Sequence, residues 1–250
     1  MTKKTLYHCS TCRSWNGTDE ICRLCGKPCD KKDVPNKRGG LYYIGEVDKP
    51  LISVTSILSA LSKPQLMPWA ARVAATYAFK NPGASLDEAV SQIYKSRDKA
   101  GSEGTQAHKC LEYIEAGGTH EFMNPPSKVD QYVMAYYKWK DAFPHKFMPI
   151  EHTVYSKKYG YAGTLDAIVE DSSGKTWLID FKTSNGIYNE MGLQLVAYKT
   201  AVEEMGLCKV DHMGILQLVD DGTFNFKEMN EPLKTFLALK LAYEWQNKLN

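Results

Sequence analysis

The sequence lacks long apolar segments, and this limits the kind of protein that it encodes. No apolar run approaches the roughly 20 residues that a helix needs to cross a bilayer. The opening residues, MTKKTLYHCS, contain no apolar signal core. Beyond residue 29, cysteine is limited to Cys110 and Cys208, so no disulfide framework extends through the chain. We therefore expect a soluble, cytoplasmic protein that has no membrane partner.

A large charge of either sign is also missing, because the formal net charge is +2 over 250 residues. The charge is unevenly distributed along the chain. Residues 1–38 contain nine Lys/Arg and four Asp/Glu, hence +5, which leaves −3 for the other 212 residues. A basic amino-terminal segment suits a polyanionic partner, and solvated lysines are an equally good explanation.

Five of the seven cysteines are concentrated near the amino terminus. Four of them form two Cys-x2-Cys pairs separated by nine residues: Cys9 with Cys12, and Cys22 with Cys25. Thiolates spaced in this way complete a tetrahedral Zn²⁺ site. The pattern resembles a zinc ribbon, in which the metal stabilises the fold and has no open position for catalysis. An iron–sulfur cluster is the alternative, since it also binds four thiolates.

The hydrophobic pattern of the chain predicts two parts. We expect residues 1–38 to form the zinc-binding module and a linker, and residues 39–250 to form the main domain. The polar segment 30–40, with one proline and two glycines, is the expected linker.

Residues 39–250 alternate between helical and strand periodicity. The helical segments are 53–61, 66–80, 86–100, 102–115, 127–142, 189–205 and 231–249. The strand segments are 41–47, 148–156, 159–170, 176–183, 213–219 and 223–229. Ser85 and Glu88 predict a capping box, and Asp-Ser-Ser-Gly at 171–174 predicts an antiparallel hairpin. We expect an α/β fold with a central mixed sheet flanked by helices and a helical amino-terminal half.

Charged residues interrupt two of the apolar strands. Residues i and i+2 of a strand share a face, so Asp180 and Lys182 project together, and Ile179 and Phe181 project to the other side. Asp166 ends the preceding apolar run. Burying a charge at such a position costs free energy unless the charge has a partner. A divalent cation between the two acids would be such a partner. Divalent metals held by carboxylates catalyse phosphodiester hydrolysis.

These residues resemble the core of the PD-(D/E)XK nuclease superfamily. The matching segments are GTLD at 163–166 and IDFKT at 179–183, with a QxxxY helix at 194–198, a GTxxHxxxE helix at 104–112 and an acidic strand at 151–156. The last three features are typical of the RecB-like branch. With the helices that begin at residue 53, the resemblance extends to phage exonucleases and to the mitochondrial genome maintenance exonuclease. It covers about residues 41–205 and implies a restriction-endonuclease-like fold.

The resemblance implies a catalytic metal site that binds Mg²⁺ or Mn²⁺. Asp166 and Asp180 are the implied carboxylate ligands, and the Phe181 carbonyl is a further oxygen ligand. His108 is the additional ligand of the RecB-like branch, and its imidazole suits Mn²⁺ as well as Mg²⁺.

The resemblance also implies roles for four other side chains. Lys182 positions or activates the attacking water. Glu151 lies at the metal or beside its ligands. Gln194 and Tyr198 orient the site or contact the DNA backbone. An aromatic packed on its helix is the alternative for Tyr198, and a solvent-facing strand acid is the alternative for Glu151.

The function implied is that of a metal-dependent DNA exonuclease that hydrolyses phosphodiester bonds from a DNA end. We expect it to be phage-encoded, to act in recombination, replication or DNA processing, and to bind DNA that is single-stranded or has a free end. A replication or recombination protein is a further expected partner, bound through the zinc module. One alternative is a non-catalytic nucleic-acid-binding adaptor that uses the zinc ribbon. A sequence-specific endonuclease is the other.

Overall fold

The computed structural model describes residues 5–8, 30–33, 36–44, 47–115, 117–148 and 153–248. The helices are α1 (Val54–Leu58), α2 (Leu66–Lys80), α3 (Leu86–Glu115), α4 (Lys128–Ala142), α5 (Asn189–Glu204) and α6 (Leu233–Asn247). The first six strands are β1 (Thr5–His8), β2 (Asp30–Asp33), β3 (Asn36–Arg38), β4 (Leu41–Tyr43), β5 (Leu51–Ser53) and β6 (His145–Phe147). The others are β7 (Thr153–Ser156), β8 (Tyr161–Thr164), β9 (Ala167–Asp171), β10 (Thr176–Lys182), β11 (His212–Leu218) and β12 (Phe224–Glu228). None of the helices in these ranges is long and apolar enough to span a membrane.

The strands form two five-stranded mixed sheets and one two-stranded sheet. Sheet I has the order β12-β11-β10-β9-β6, in which β10 and β11 run parallel and the other pairs are antiparallel. Sheet II has the order β3-β4-β5-β8-β7, in which β5 and β8 run parallel. β1 and β2 form the antiparallel two-stranded sheet. The predicted α/β class is confirmed, and the predicted single central sheet is wrong.

The segment 159–170, predicted as one strand, divides between the two sheets. Its first part is β8 of sheet II, and its second part is β9 of sheet I. The pairing of β9 with β10 ends at Ala167 opposite Ile179. The next N–H on that edge, from Phe181, donates to the side-chain oxygen Oδ2 of Asp166 at 2.7 Å. A carboxylate therefore takes the place of a strand carbonyl where the chain passes from one sheet to the other.

Two other predicted boundaries are also corrected. The segments 86–100 and 102–115 form the single helix α3, because one glycine costs a helix only about 1 kcal/mol and does not end it at Gly101. The predicted capping box is present, since the N–H of Ser85 donates to Glu88 Oε2 at 2.7 Å and the N–H of Glu88 donates to Ser85 Oγ at 3.2 Å. The segment assigned as linker contains β2 and β3, and β3 pairs with β4 of sheet II.

The core lies on both faces of β10. Leu178 belongs to a cluster with α5, in which residues 191–198 are all buried. Ile179 and Phe181 belong to a second cluster with α3 and α4, where the Phe181 ring lies 5.6 Å from that of Tyr136. Strand β10 is therefore covered on both sides, and a charge in its middle is removed from bulk water.

A buried carboxylate fixes the start of α4. Asp130 is 1% exposed. Its Oδ1 lies 2.6 Å from His120 Nε2, and its Oδ2 accepts the N–H groups of Ser127 at 2.7 Å and of Met123 at 3.3 Å. Burial alone would raise the pKa of Asp130, but these hydrogen bonds outweigh it and lower the pKa from 3.8 to about 2.

We expect Asp130→Asn to lower the free energy of unfolding by about 2 kcal/mol at neutral pH, because a lowered carboxyl pKa stabilises the folded state above pH 3.8. This contribution is lost as the pH falls toward about 2, so roughly half of the difference between wild type and variant remains at pH 3. Urea unfolding of both proteins between pH 7 and pH 3 measures the difference. Asp48→Asn, at an exposed turn, is the control. A difference that stays constant over this range would contradict the assignment.

Candidate active site

The charged face of β10 points toward α5. Asp180 is 2% exposed and the Lys182 side chain is 24% exposed. Both side chains contact Gln194 of α5, while Ile179 and Phe181 pack on the opposite side of the sheet. The alternation predicted from the sequence is confirmed, and it places an acid and a lysine together against a buried helix.

A continuous polar network joins four of the predicted site residues. Lys182 Nζ lies 2.6 Å from Asp180 Oδ2 and donates to Gln194 Oε1 at 3.2 Å. Gln194 Nε2 donates to Asp180 Oδ1 at 2.9 Å and to the hydroxyl of Tyr198 at 3.1 Å. Because its carbonyl faces the lysine and its amide nitrogen faces the acid, Gln194 fixes both charged groups. The i, i+4 spacing of Gln194 and Tyr198 on α5 brings both side chains to the site.

A second acidic group adjoins this network at the crossing between the sheets. Asp166 Oδ1 lies 3.1 Å from His108 Nδ1, and Asp166 Oδ2 accepts the Phe181 N–H. His108 comes from the middle of α3, where Gly104 allows the helix to approach β10 closely. A Cβ at Gly104 would lie 2.9 Å from Thr183 Oγ1. The helical amino-terminal half of the chain thus supplies one side chain of the site.

The two carboxyl groups differ in acidity. Burial alone would raise the pKa of Asp166, but the hydrogen bond from His108 and the charges of His108 and Lys182 hold it below its ordinary value. Burial raises the pKa of Asp180 to about 6, and the negative charge of Asp166 adds to this rise against the opposing charge of Lys182. A pair of neighbouring groups with pKa values moved in opposite directions is a pattern found at catalytic sites.

The two cationic groups are stabilised by these acids. Burial alone would lower the pKa of Lys182, but the charges of Asp180 and Asp166 raise it above its ordinary value. Burial opposes the charge of His108 in the same way, and Asp166 again raises its pKa. Lys182 is therefore charged at neutral pH.

The carboxylates and the imidazole of this site are ligand types that bind divalent cations, but they are already hydrogen-bonded or ion-paired with neighbouring side chains. Within the described residues, no group of three or more His, Cys, Asp and Glu side chains is arranged to hold a metal ion. The buried oxygen Oδ2 of Asp180 is paired with the Lys182 ammonium at 2.6 Å. Carboxylates suit Mg²⁺, and the imidazole of His108 also suits Mn²⁺.

Several predicted residues are not tested by this geometry. Glu151 and the four cysteines of the zinc pattern, Cys9, Cys12, Cys22 and Cys25, lie outside the described residues. Phe181 contributes its N–H to the site, and the metal-binding role of its carbonyl stays a prediction. Glu112, which ends the GTxxHxxxE pattern, is exposed on α3.

Sequence reasoning missed the steric role of Gly163. A Cβ at this position in β8 would lie 2.2 Å from Tyr198 Cε1 and 3.0 Å from its Cζ. Tyr198 is 2% exposed, and its hydroxyl belongs to the Gln194 network. The glycine of the GTLD segment is therefore required for close packing of the α5 tyrosine, which only the fold reveals.

No protein-family model matches the chain, and no curated protein matches it. Among solved structures, the chain is similar to one described as the crystal structure of SSO0001. The two share 19% sequence identity over 80% of this chain and 76% of that chain, with a TM-score of 0.37. A score this low does not establish a shared fold.

Proposed function

We propose that the chain is a metal-dependent DNA exonuclease that hydrolyses phosphodiester bonds from a DNA end. The observation that carries the proposal is a pair of neighbouring acids, the partly buried Asp166 at the crossing of two sheets and the buried Asp180, which is paired with a charged lysine. Burying these charges opposes folding, so a function that uses them explains why they lie together. The order of the GTxxHxxxE, GTLD, IDFKT and QxxxY patterns supports hydrolysis of DNA.

Each side chain has a role that follows from its contacts. Asp180 is held in place by Lys182 and Gln194 and would be a carboxylate ligand of the divalent cation. Lys182 is charged and stabilises negative charge on the phosphoryl oxygens. Gln194 fixes the orientation of Asp180 and Lys182 through its amide nitrogen and oxygen. The hydroxyl of Tyr198 accepts a hydrogen bond from Gln194 and so fixes its side chain.

In this proposal Asp166, Asp180 and His108 would hold the Mg²⁺ or Mn²⁺ ion. When bound, such a cation withdraws charge from the phosphoryl oxygens as a Lewis acid. The hydrogen bonds from His108 and from the Phe181 N–H favour the ionised form of Asp166, which is the form that binds a cation, and His108 would bind the metal as a neutral imidazole. The Phe181 N–H holds the second oxygen of Asp166, which fixes the plane of the carboxylate.

The metal dependence and the need for an end are testable together. We expect end-labelled linear DNA to lose its label in Mg²⁺ or Mn²⁺. With a chelator, the rate of label loss should be lower on the order of 10²-fold or more. Single- and double-stranded substrates are compared at the same protein concentration. A covalently closed single-stranded circle is the matched substrate, because it has the same chemistry and no end.

Three results would contradict the proposal in different ways. Undiminished cutting in chelator would exclude the metal, and equally fast cutting of the circle would exclude an exonuclease. Discrete bands from a long duplex would instead indicate a sequence-specific endonuclease. Tight DNA binding without hydrolysis in either metal would favour a non-catalytic adaptor.

A further inference from the structure

A cavity opens beside the catalytic network and extends away from it. Its volume is about 560 Å³, within the range of roughly 300–1,000 Å³ that is typical of small-ligand sites. Lys182 and Gln194 line one part of it. The remaining wall comes from α1, from the segment between α1 and α2, and from the start of α5. The cavity therefore lies where a group attached to the reacting phosphate would be placed.

The cavity is lined by apolar and by charged side chains. Leu58 and Met191 are each 8% exposed and are its buried apolar residues. Lys63 also lines the cavity, but it is exposed, so water screens its charge. Glu190, on the first turn of α5, is half-buried inside. Within the part of the chain that the structure describes, no cation lies within 4.0 Å of the Glu190 carboxylate.

Three of the uncharged polar groups of the cavity already donate hydrogen bonds within the protein. The hydroxyl of Ser59 donates to the Ser56 carbonyl at 2.6 Å, and that of Ser184 donates to the Gly186 carbonyl at 2.9 Å. The amide N–H groups of Gln194 are used by Asp180 and Tyr198. These groups offer lone pairs to a ligand, as does the carboxylate of Glu190, whereas the donors of the lining are its lysines and Thr55.

A ligand that matches this lining must donate hydrogen bonds and must carry its negative charge only at the Lys182 end. We propose that the cavity receives the terminal nucleoside of the DNA strand, and that it selects an end with a free hydroxyl over an end with a phosphate. The sugar and base pack on Leu58 and Met191, and the terminal hydroxyl donates to Glu190. A terminal phosphate would meet the Glu190 carboxylate and acceptor atoms. The assignment rests on the nuclease function proposed above.

The test compares four single-stranded oligonucleotides of one sequence under single-turnover conditions in Mg²⁺. They carry a hydroxyl or a phosphate at the 5′ end and, independently, at the 3′ end. For the end that enters the cavity, we expect a phosphate to slow cleavage by about tenfold or more, because two negative groups then face each other. Glu190→Gln removes the charge and keeps an acceptor, so the penalty is expected to fall below about threefold.

The matched control is Glu121→Gln, which removes an acid from a different cavity, at the start of α4, and should keep the full penalty. Circular dichroism and urea unfolding confirm that both variants are folded. Equal cleavage of all four strands by wild type, or a penalty that survives in Glu190→Gln, would overturn the cavity assignment and leave the nuclease standing. If wild type cleaves none of the strands, the proposed function fails, and the cavity assignment fails with it.

Discussion

Asp180→Asn should abolish cleavage of DNA while leaving the protein folded. Asparagine keeps an oxygen that accepts a hydrogen bond from the Gln194 amide, but it carries no charge and is a poor ligand for a divalent cation. We expect the rate to fall on the order of 10²-fold or more, because the proposed metal would lose one of its two carboxylate ligands. The substitution removes the repulsion between two neighbouring acids and also removes a partner of Lys182. These effects oppose each other, so the net change in stability should be small.

The matched control for this variant is Asp130→Asn, which also replaces a buried carboxylate. Asp130 stabilises the start of α4 and does not contact the catalytic network. The control should lose about 2 kcal/mol of stability and keep its rate, whereas Asp180→Asn should show the reverse pattern. Single-turnover cleavage and urea unfolding of both variants measure the contrast. An Asp180→Asn protein that cuts like wild type would show that the catalytic assignment is wrong.

Gly163→Ala should disrupt both packing and activity. The added methyl would lie 2.2 Å from Tyr198 Cε1, and the buried ring has no open side to which it can move. Overpacking of this kind costs about 1–3 kcal/mol, and we expect a value near 3 kcal/mol because the ring belongs to the main core cluster. Displacing Tyr198 also moves the hydroxyl that holds Gln194, so the cleavage rate should fall as well.

Two further variants isolate the steric cause of this effect. Gly83→Ala places a methyl where no atom lies within 4 Å and should leave stability nearly unchanged. Replacing Tyr198 with leucine in the Gly163→Ala background makes room for the methyl. The double variant should therefore be more stable than the sum of the two single effects predicts. Equal stability of wild type and Gly163→Ala, measured by urea unfolding, would contradict the close contact.

The sequence predicted the chemistry of β10 because the information is local. A strand alternates its side chains with period two, so Asp180 and Lys182 had to share a face. The partners Gln194 and Tyr198 were also predictable, since their helical spacing places them on one face of α5. The structure confirms that these four side chains lie together.

Other features depend on contacts between distant parts of the chain. The division of 159–170 between two sheets follows from the hydrogen bond between Asp166 and the Phe181 N–H, which no local pattern encodes. Gly101 looked like a helix boundary, yet the helix continues through it, because the cost of one glycine is small. No sequence pattern singles out Glu190, and only the fold shows that it lines a cavity.

The position of Asp166 has a consequence for control of the proposed nuclease. Its carboxylate belongs to neither sheet, since it lies between β8 of sheet II and β9 of sheet I, and it reaches β10 through the Phe181 N–H. Asp166 directly precedes β9, which pairs with β10 in sheet I, so this hydrogen bond extends the β9–β10 ladder by one step beyond Ala167 and Ile179. Fraying of that end of the ladder would part the two acids while the rest of sheet I stays paired. The proposed site therefore depends on the local stability of one strand end.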